Sequence, residues 1–154
     1  MPEGAYILEI GMGPGVDLKI LNKYFQASGS DTSMFFLDRY HNADPNADLI
    51  HFDAVDLDTG RSFGCIYSNK VLHHLTDEDL TNPLRRQKAV LSNTGFIMHS
   101  FWRGTGNEEH CGLKFVCQTE ASLRLLVGKV FDIVDIAVYM EMEENDSLYV
   151  LARV

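Results

Sequence analysis

The apolar positions of this chain change period repeatedly, from two to about 3.6 and back. That alternation predicts an α/β domain with a mostly parallel sheet. Tyr6–Ile10 reads as the first strand, and Val16, Ile20, Leu21 and Tyr24 follow it at helical spacing. Residues 25–30 read as a second strand ending at Gly29-Ser30-Asp31-Thr32-Ser33. Ser33 then caps a helix through Phe36, Leu37 and Tyr40 that stops before Asp44-Pro45-Asn46. Residues 47–52 and 62–68 are the third and fourth strands. The nine residues between them, 53–61, are too few for a crossover helix, so a loop or single turn is expected.

Thr76-Asp77-Glu78-Asp79 resembles a capping box, and Asn82-Pro83 offers a second helix start, with Asn as cap and Pro at the first helical position. That helix runs to about Leu91, with Gly95 in the turn beyond it. Residues 96–101 are the fifth strand. Residues 102–117 are polar and glycine-containing without clear periodicity, which predicts a functional loop. A helix starts at Thr119-Glu120 with Leu123, Leu126 and Val127 on one face. Asp132–Tyr139 and residues 148–154 are strands joined by the acidic turn Glu143-Glu144-Asn145-Asp146, an antiparallel hairpin that departs from the parallel rhythm.

Candidate chemistry concentrates at one place. Glu9, Gly11, Gly13 and Gly15 form a loop between the first strand and first helix. Glycines there accept φ > 0 and carry no Cβ, so a ligand can touch backbone. The helix behind them points its N–H groups and positive dipole end at whatever binds. A dinucleotide fingerprint needs G-x-G-x-x-G, but that last position is Val16, and no Gly-Lys-Ser/Thr follows to make a phosphate loop. A nicotinamide-dependent oxidoreductase is therefore opposed by Val16 and by the terminal hairpin.

Bulk composition narrows the picture. At 154 residues the chain is one domain spanning 1–154, with 45% hydrophobic and 23% charged residues, as in soluble globular proteins. A net charge of −9 argues against a strong nucleic-acid or anionic-membrane surface, since both need clustered Lys and Arg. The cluster Arg85-Arg86-Gln87-Lys88 reads as a solvated helix face. No apolar run is long enough to span a bilayer, and no secretory signal is expected. Cys65, Cys111 and Cys117 point to a reducing, cytoplasmic setting. His110, Cys111 and Cys117 match no common zinc spacing, so no metal is expected.

The pattern E-x-G-x-G-x-G resembles the first motif of class I S-adenosylmethionine-dependent methyltransferases. Gly29-Ser30-Asp31-Thr32-Ser33 is similar to that family's second motif, and Asp53-Ala54 to its third. Residues 63–75, ending Val71-Leu72-His73-His74-Leu75, are similar to the fourth, in a form common among small-molecule methyltransferases of the ubiquinone-biosynthesis type. Two positions depart from the pattern. Gly64 stands where members usually carry Asp, and Ser92-Asn93-Thr94-Gly95 where they more often have a Pro-Gly-Gly turn. The resemblance runs from about Glu3 to Val154. It implies a Rossmann-like seven-stranded sheet, mostly parallel with an antiparallel C-terminal hairpin. It also implies a reduced N-terminal cap, whose place a homodimer partner or another subunit could take.

The resemblance further implies S-adenosylmethionine as cofactor and assigns roles. Gly11, Gly13 and Gly15 would meet the methionine end, with Glu9 orienting it. Asp31 would hold the ribose hydroxyls, with Asp38 as a rival acid inside the following helix. Asp53 and Ala54 would meet adenine, with Asp56 and Asp58 as alternatives. Ser68 and Asn69 would lie closest to the sulfonium. Methyl transfer is an in-line displacement, so the protein must align the nucleophile and sometimes needs a base. His74 and His73 are the candidates, since imidazole titrates near neutrality. The competing reading packs one below the pocket and uses the other to cap the next helix. Tyr67, Trp102 and Tyr139 are candidate walls for a small-molecule acceptor, and residues 102–117 its binding element. The leading function is a small-molecule methyltransferase. The alternative is a non-catalytic cofactor-binding subunit. No Asn-Pro-Pro-Tyr-type signature follows the fourth strand, which lowers base and amide acceptors in rank.

Overall fold

The computed structural model describes residues 5–57, 59–110 and 112–154; Glu3, Asp58 and Cys111, all named above, lie outside them. The chain runs β1 (Tyr6–Ile10), α1 (Val16–Leu21), β2 (Gln26–Asp31), α2 (Met34–Ala43), β3 (Leu49–His51) and β4 (Phe63–Asn69). A 3-10 turn over Leu72–His74 precedes α3 (Asp77–Val90), β5 (Leu91–Trp102), β6 (Asn107–His110) and β7 (Leu113–Val116). The chain closes with α4 (Glu120–Val127), β8 (Asp132–Tyr139) and β9 (Ser147–Arg153).

Seven strands form one sheet in the order β3-β2-β1-β4-β5-β9-β8. β1 pairs in parallel with β2 and β4, while β9 lies antiparallel between β5 and β8. The reversal of order at β1 and β4 opens a crevice beyond the carboxyl ends of those strands, where open α/β sheets bind ligands. The predicted fold class is the observed one.

β1 reads as nearly continuous apolar residues because both its faces are covered. On one face Leu8, Ile10, Ile66, Ile97 and Val150 pack with Leu80 and Leu84 of α3 and Leu123 and Leu126 of α4. On the other, Ile7 and Cys65 meet Leu18 of α1 and Leu37 of α2. Each fully buried Leu or Ile contributes about 1.5–3 kcal/mol, so this period-two alternation fixes the strand register. Farther along the second face Met98 and Val134 stay exposed, and an apolar groove of about 400 Å³ runs beside α1 between Ile20, Leu21, Phe25 and Tyr67.

The structure departs from expectation at three places. Asn82 and Pro83 do not start a helix; Pro83 lies buried inside a single α3. The Thr76 side chain already caps that helix by accepting from the Asp79 N–H, and Leu80, Pro83, Leu84 and Gln87 share its buried side. β5 begins at Leu91, not Phe96, because Leu91 already pairs with Phe63, and the extra residues before Phe96, which pairs with Cys65, bulge out of β5. Gly95 belongs to this strand, where a Cβ would come within 2.9 Å of the Ser92 carbonyl oxygen. Residues 102–117 are not loop throughout, since β6 and β7 pair there as an antiparallel hairpin. The short connection between β3 and β4 and the turn before β9 follow expectation. In that turn the Asp146 carboxylate accepts from the N–H groups of Glu141, Met142 and Glu143, which holds it well below the usual carboxylate range.

Candidate functional site

The glycine loop turns sharply at the end of β1 because Gly11, Gly13 and Gly15 all have positive φ. Gly15 shows why no other residue serves. It caps α1 at φ 79°, and a Cβ there would lie 2.3 Å from the Tyr40 ring. Nothing lies within 4 Å of a Cβ position on Gly13, so the loop leaves room beside it.

Asp31, at the tip of β2, ties that loop down. Its Oδ2 accepts from the Gly13 N–H at 2.8 Å and its Oδ1 from the Ser33 N–H at 2.8 Å. Each oxygen keeps a free lone pair for a further donor. Ser33 stands at the N-cap of α2 but caps nothing with its own side chain. Asp31 instead anchors the Ser33 N–H, at the entry to α2. Asp38 lies exposed on α2, away from this cluster.

A pocket of about 670 Å³ opens over the carboxyl ends of β1, β2 and β4, lined by Gly11, Asp31, Ser33, Phe36, Phe52, Asp53, Ala54, Asn69, Val71, His74 and Leu113 among others. Asp53 and Ala54 therefore reach the same cavity as Asp31. Asp56 instead pairs with Arg86 at 3.1 Å.

Glu9 is 3% exposed, and its Oε2 has no hydrogen-bond partner among the described residues. Burial, reinforced by Asp17 and Asp31, pushes its carboxyl up to about 8. Asp17, in the first turn of α1, accepts from the Tyr67 hydroxyl at 2.9 Å and from Asn69 Nδ2 at 3.1 Å. Tyr67 is thus bound to the glycine-loop helix.

The two residues at the tip of β4 part company. Asn69 lines the pocket. Ser68 is fully buried and does not; its hydroxyl donates to His99 Nδ1 at 2.8 Å, and His99 Nε2 donates to Gln87 Oε1 at 2.8 Å. Strand alternation puts Ser68 on the α3 side with Ile66, so only its main chain stays near the crevice.

His74 reaches the pocket wall, but both its ring nitrogens are engaged. Nδ1 donates to the Lys114 carbonyl of β7 at 2.7 Å, so with neutral rings its Nε2 accepts from His73 Nε2, 3.1 Å away. His73 is buried, which with His74 and Lys70 nearby pulls it down to about 4. Phe115 packs on both rings. Neither histidine caps α3, a task Thr76 performs. The pair fastens the β6–β7 hairpin over the pocket, where Leu113 becomes part of the lining.

Lys70 was missed from sequence. It adopts φ 55° just past β4, and its ammonium donates to the Phe101 carbonyl and Ser147 hydroxyl at 2.7 Å each. The same ammonium meets Glu141 at 3.3 Å and stands 3.8 Å over the Trp102 ring. Trp102 and Tyr139, expected as acceptor walls, pack around this ammonium instead. Among the described residues no group of His, Cys, Asp and Glu is arranged to hold a metal.

A doubly wound sheet with a glycine loop at its order reversal, an acid at the tip of the neighbouring strand and an antiparallel β9 define a Rossmann-like methyltransferase architecture. Residues 7–95 match the model of the methyltransferase domain family, and the chain belongs to that family. This membership makes it an enzyme of the methyl-transferring class. No curated protein matches it in sequence. Among solved structures it resembles an S-adenosylmethionine-dependent methyltransferase from Mesorhizobium loti, with TM-score 0.84 at 18% identity over 99% of this chain and 92% of the other. It also resembles the 1,6-didemethyltoxoflavin-N1-methyltransferase of Burkholderia thailandensis, solved with 1,6-didemethyltoxoflavin and S-adenosylhomocysteine. There the TM-score is 0.84 at 20% identity over 98% and 71% of the two chains. The glycopeptide N-methyltransferase MtfA, solved with S-adenosylhomocysteine, gives 0.80 at 12% identity over 99% and 84%. At these identities the likeness is one of fold.

Proposed function

We propose that the chain is an S-adenosylmethionine-dependent methyltransferase acting on a small-molecule acceptor. One observation carries this reading: Gly11, Asp31, Asp53, Ala54, Asn69 and His74 border a single cavity at the sheet's order reversal. The residues fit the cofactor. Asp31 keeps lone pairs for two ribose hydroxyls, Phe36, Phe52 and Ala54 offer apolar walls beside Asp53 for adenine, and Glu9 is a buried carboxyl lacking a cation. When bound, S-adenosylmethionine supplies an electrophilic methyl carbon on a sulfonium.

The rest is work for the chain. Gly13 and Gly15 let the main chain approach the methionine end, with Asp17 and the buried Glu9 carboxyl beneath it. Asp17 and Ser100 orient the Asn69 amide at the tip of β4 through their hydrogen bonds. Leu113 and the His73–His74 clamp hold the hairpin across the acceptor side and exclude water. His74 is an imidazole on the pocket wall able to take an acceptor proton, but only by giving up the Nε2 contact with His73. An acceptor that sheds its proton to solvent on methylation fits the site without that cost.

The ending Val71-Leu72-His73-His74-Leu75, similar to ubiquinone-biosynthesis-type enzymes, supports a small acceptor, as does a cavity of about 670 Å³ walled partly by Phe36, Phe52, Val71 and Leu113. Among the described residues no helix is long and apolar enough to cross a membrane. Incubation with S-adenosylmethionine and a panel of small amines, phenols and enols tests the reading. Acceptor-dependent S-adenosylhomocysteine formation is expected. A protein whose melting point responds to neither S-adenosylmethionine nor S-adenosylhomocysteine sinks it.

A further inference from the structure

Glu9 stands out because nothing among the described residues hydrogen-bonds its Oε2. It is the penultimate residue of β1, two before Gly11, and is 3% exposed. Among the described residues, the ionisable groups that act on it carry the wrong sign or none. Asp17 faces it from α1 and Asp31 from β2, while Tyr40 on α2 and Tyr67 on β4 bring no positive charge. The ion pairs Arg61–Asp48, Lys70–Glu141 and Arg86–Asp56 all lie elsewhere. A carboxyl enclosed in this way keeps its proton until a cation arrives.

Methyl donor and spent product share their adenosine and amino-acid parts. They differ by one methyl group and one positive charge on sulfur. Resting on the cofactor reading above, we propose that Glu9 distinguishes the two by charge. It is a neutral acid in the free protein, ionises when the sulfonium-bearing donor binds, and takes up a proton again once the sulfur has become neutral. The balance is simple. The carbon–sulfur bond breaks with its electron pair left on sulfur, and an acceptor lone pair forms the new bond to carbon. The acceptor sheds one proton, and Glu9 gains one. The cycle favours donor entry and weakens the grip on product without moving any backbone.

Because the carboxyl lies at about 8 in the free protein, the proton is present at neutral pH and its release is measurable. Calorimetric titration with S-adenosylmethionine and with S-adenosylhomocysteine at pH 6.5, in buffers of unequal ionisation enthalpy, counts protons released per ligand. We expect the donor to release more than the product. Their affinity ratio should rise by up to about tenfold per pH unit toward pH 8. Glu9→Gln should still bind product while losing both the difference and the pH slope, and Glu9→Asp should keep both. Equal proton release by the two ligands in the unaltered protein overturns the assignment of Glu9 and leaves the cofactor reading standing. Failure of both ligands to bind overturns the two together.

Discussion

The main-chain N–H of Gly13 donates to Asp31 Oδ2 at 2.8 Å, joining the glycine loop to the tip of the neighbouring strand. One carboxylate therefore shapes the loop and presents its remaining lone pairs to the pocket. Asp31→Ala should cost both functions. A hydrogen bond to a charged group is worth roughly 1.5–3 kcal/mol. We expect S-adenosylhomocysteine affinity to fall at least tenfold by calorimetry, and unchanged affinity would remove Asp31 from the ribose site.

Gly15 is a backbone requirement of a different kind. Alanine there would need the left-handed conformation and would press its Cβ into the Tyr40 ring. The conformational part alone costs roughly 1–2 kcal/mol. Gly15→Ala should lower the melting point and weaken cofactor binding, and Tyr40→Ala in the same chain should restore only the steric share.

His74 separates two roles cleanly. If it works chiefly as the fastener of the hairpin, His74→Ala raises KM for the acceptor and speeds amide exchange across Leu113–Val116. Cofactor affinity then stays near its parental value. That is the outcome we expect, because both ring nitrogens are already engaged. A loss confined to kcat, with hairpin exchange unchanged, would make His74 the base.

Stability without ligand should peak near pH 6.5. His99 is pulled down to about 3 by burial, and His73 to about 4, chiefly by burial. Both stay neutral in the fold while the unfolded chain protonates, so their contribution is complete above about 6.5 and is lost as pH falls toward 3–4. Glu9 works the other way. Raised to about 8, it keeps its proton in the fold, so stability declines as pH climbs from about 4.5 to 8. Each group changes stability by about 1.4 kcal/mol per pH unit within its window. Between 4.5 and 6.5 the two histidines outweigh the one glutamate, and above 6.5 only the glutamate acts. Thermal unfolding from pH 4 to 9 checks this, with His99→Gln flattening the acid limb. A melting point that does not vary over that range would contradict it.

Much of the scaffold was legible in the sequence. β1 and the glycine loop could be read because burial on both faces demands an apolar run and positive φ demands glycine. The antiparallel ending could be read from two strand patterns with only an acidic turn between them. What stayed hidden depended on tertiary partners. β6 carries Asn107, Glu108 and Glu109, with no apolar alternation, and exists because β7 pairs with it and the histidines anchor β7. Pro83 looked like a helix start because local propensity favours that position, whereas burial beside Leu80 and Leu84 decided otherwise. Ser68 could have been placed correctly by counting from Ile66, two residues earlier on the same face. Lys70 gave no local signal, since a left-handed lysine is recognisable only once Trp102, Glu141 and Ser147 surround it.

The β6–β7 hairpin shares no ladder with the large sheet and meets it through a histidine pair and a phenylalanine ring. Length and composition of that flap can therefore change without breaking a ladder of the seven-stranded sheet. On the proposed function, acceptor preference is thereby uncoupled from donor binding, and grafting a foreign flap onto the His73–His74 anchor is the route to retargeting it.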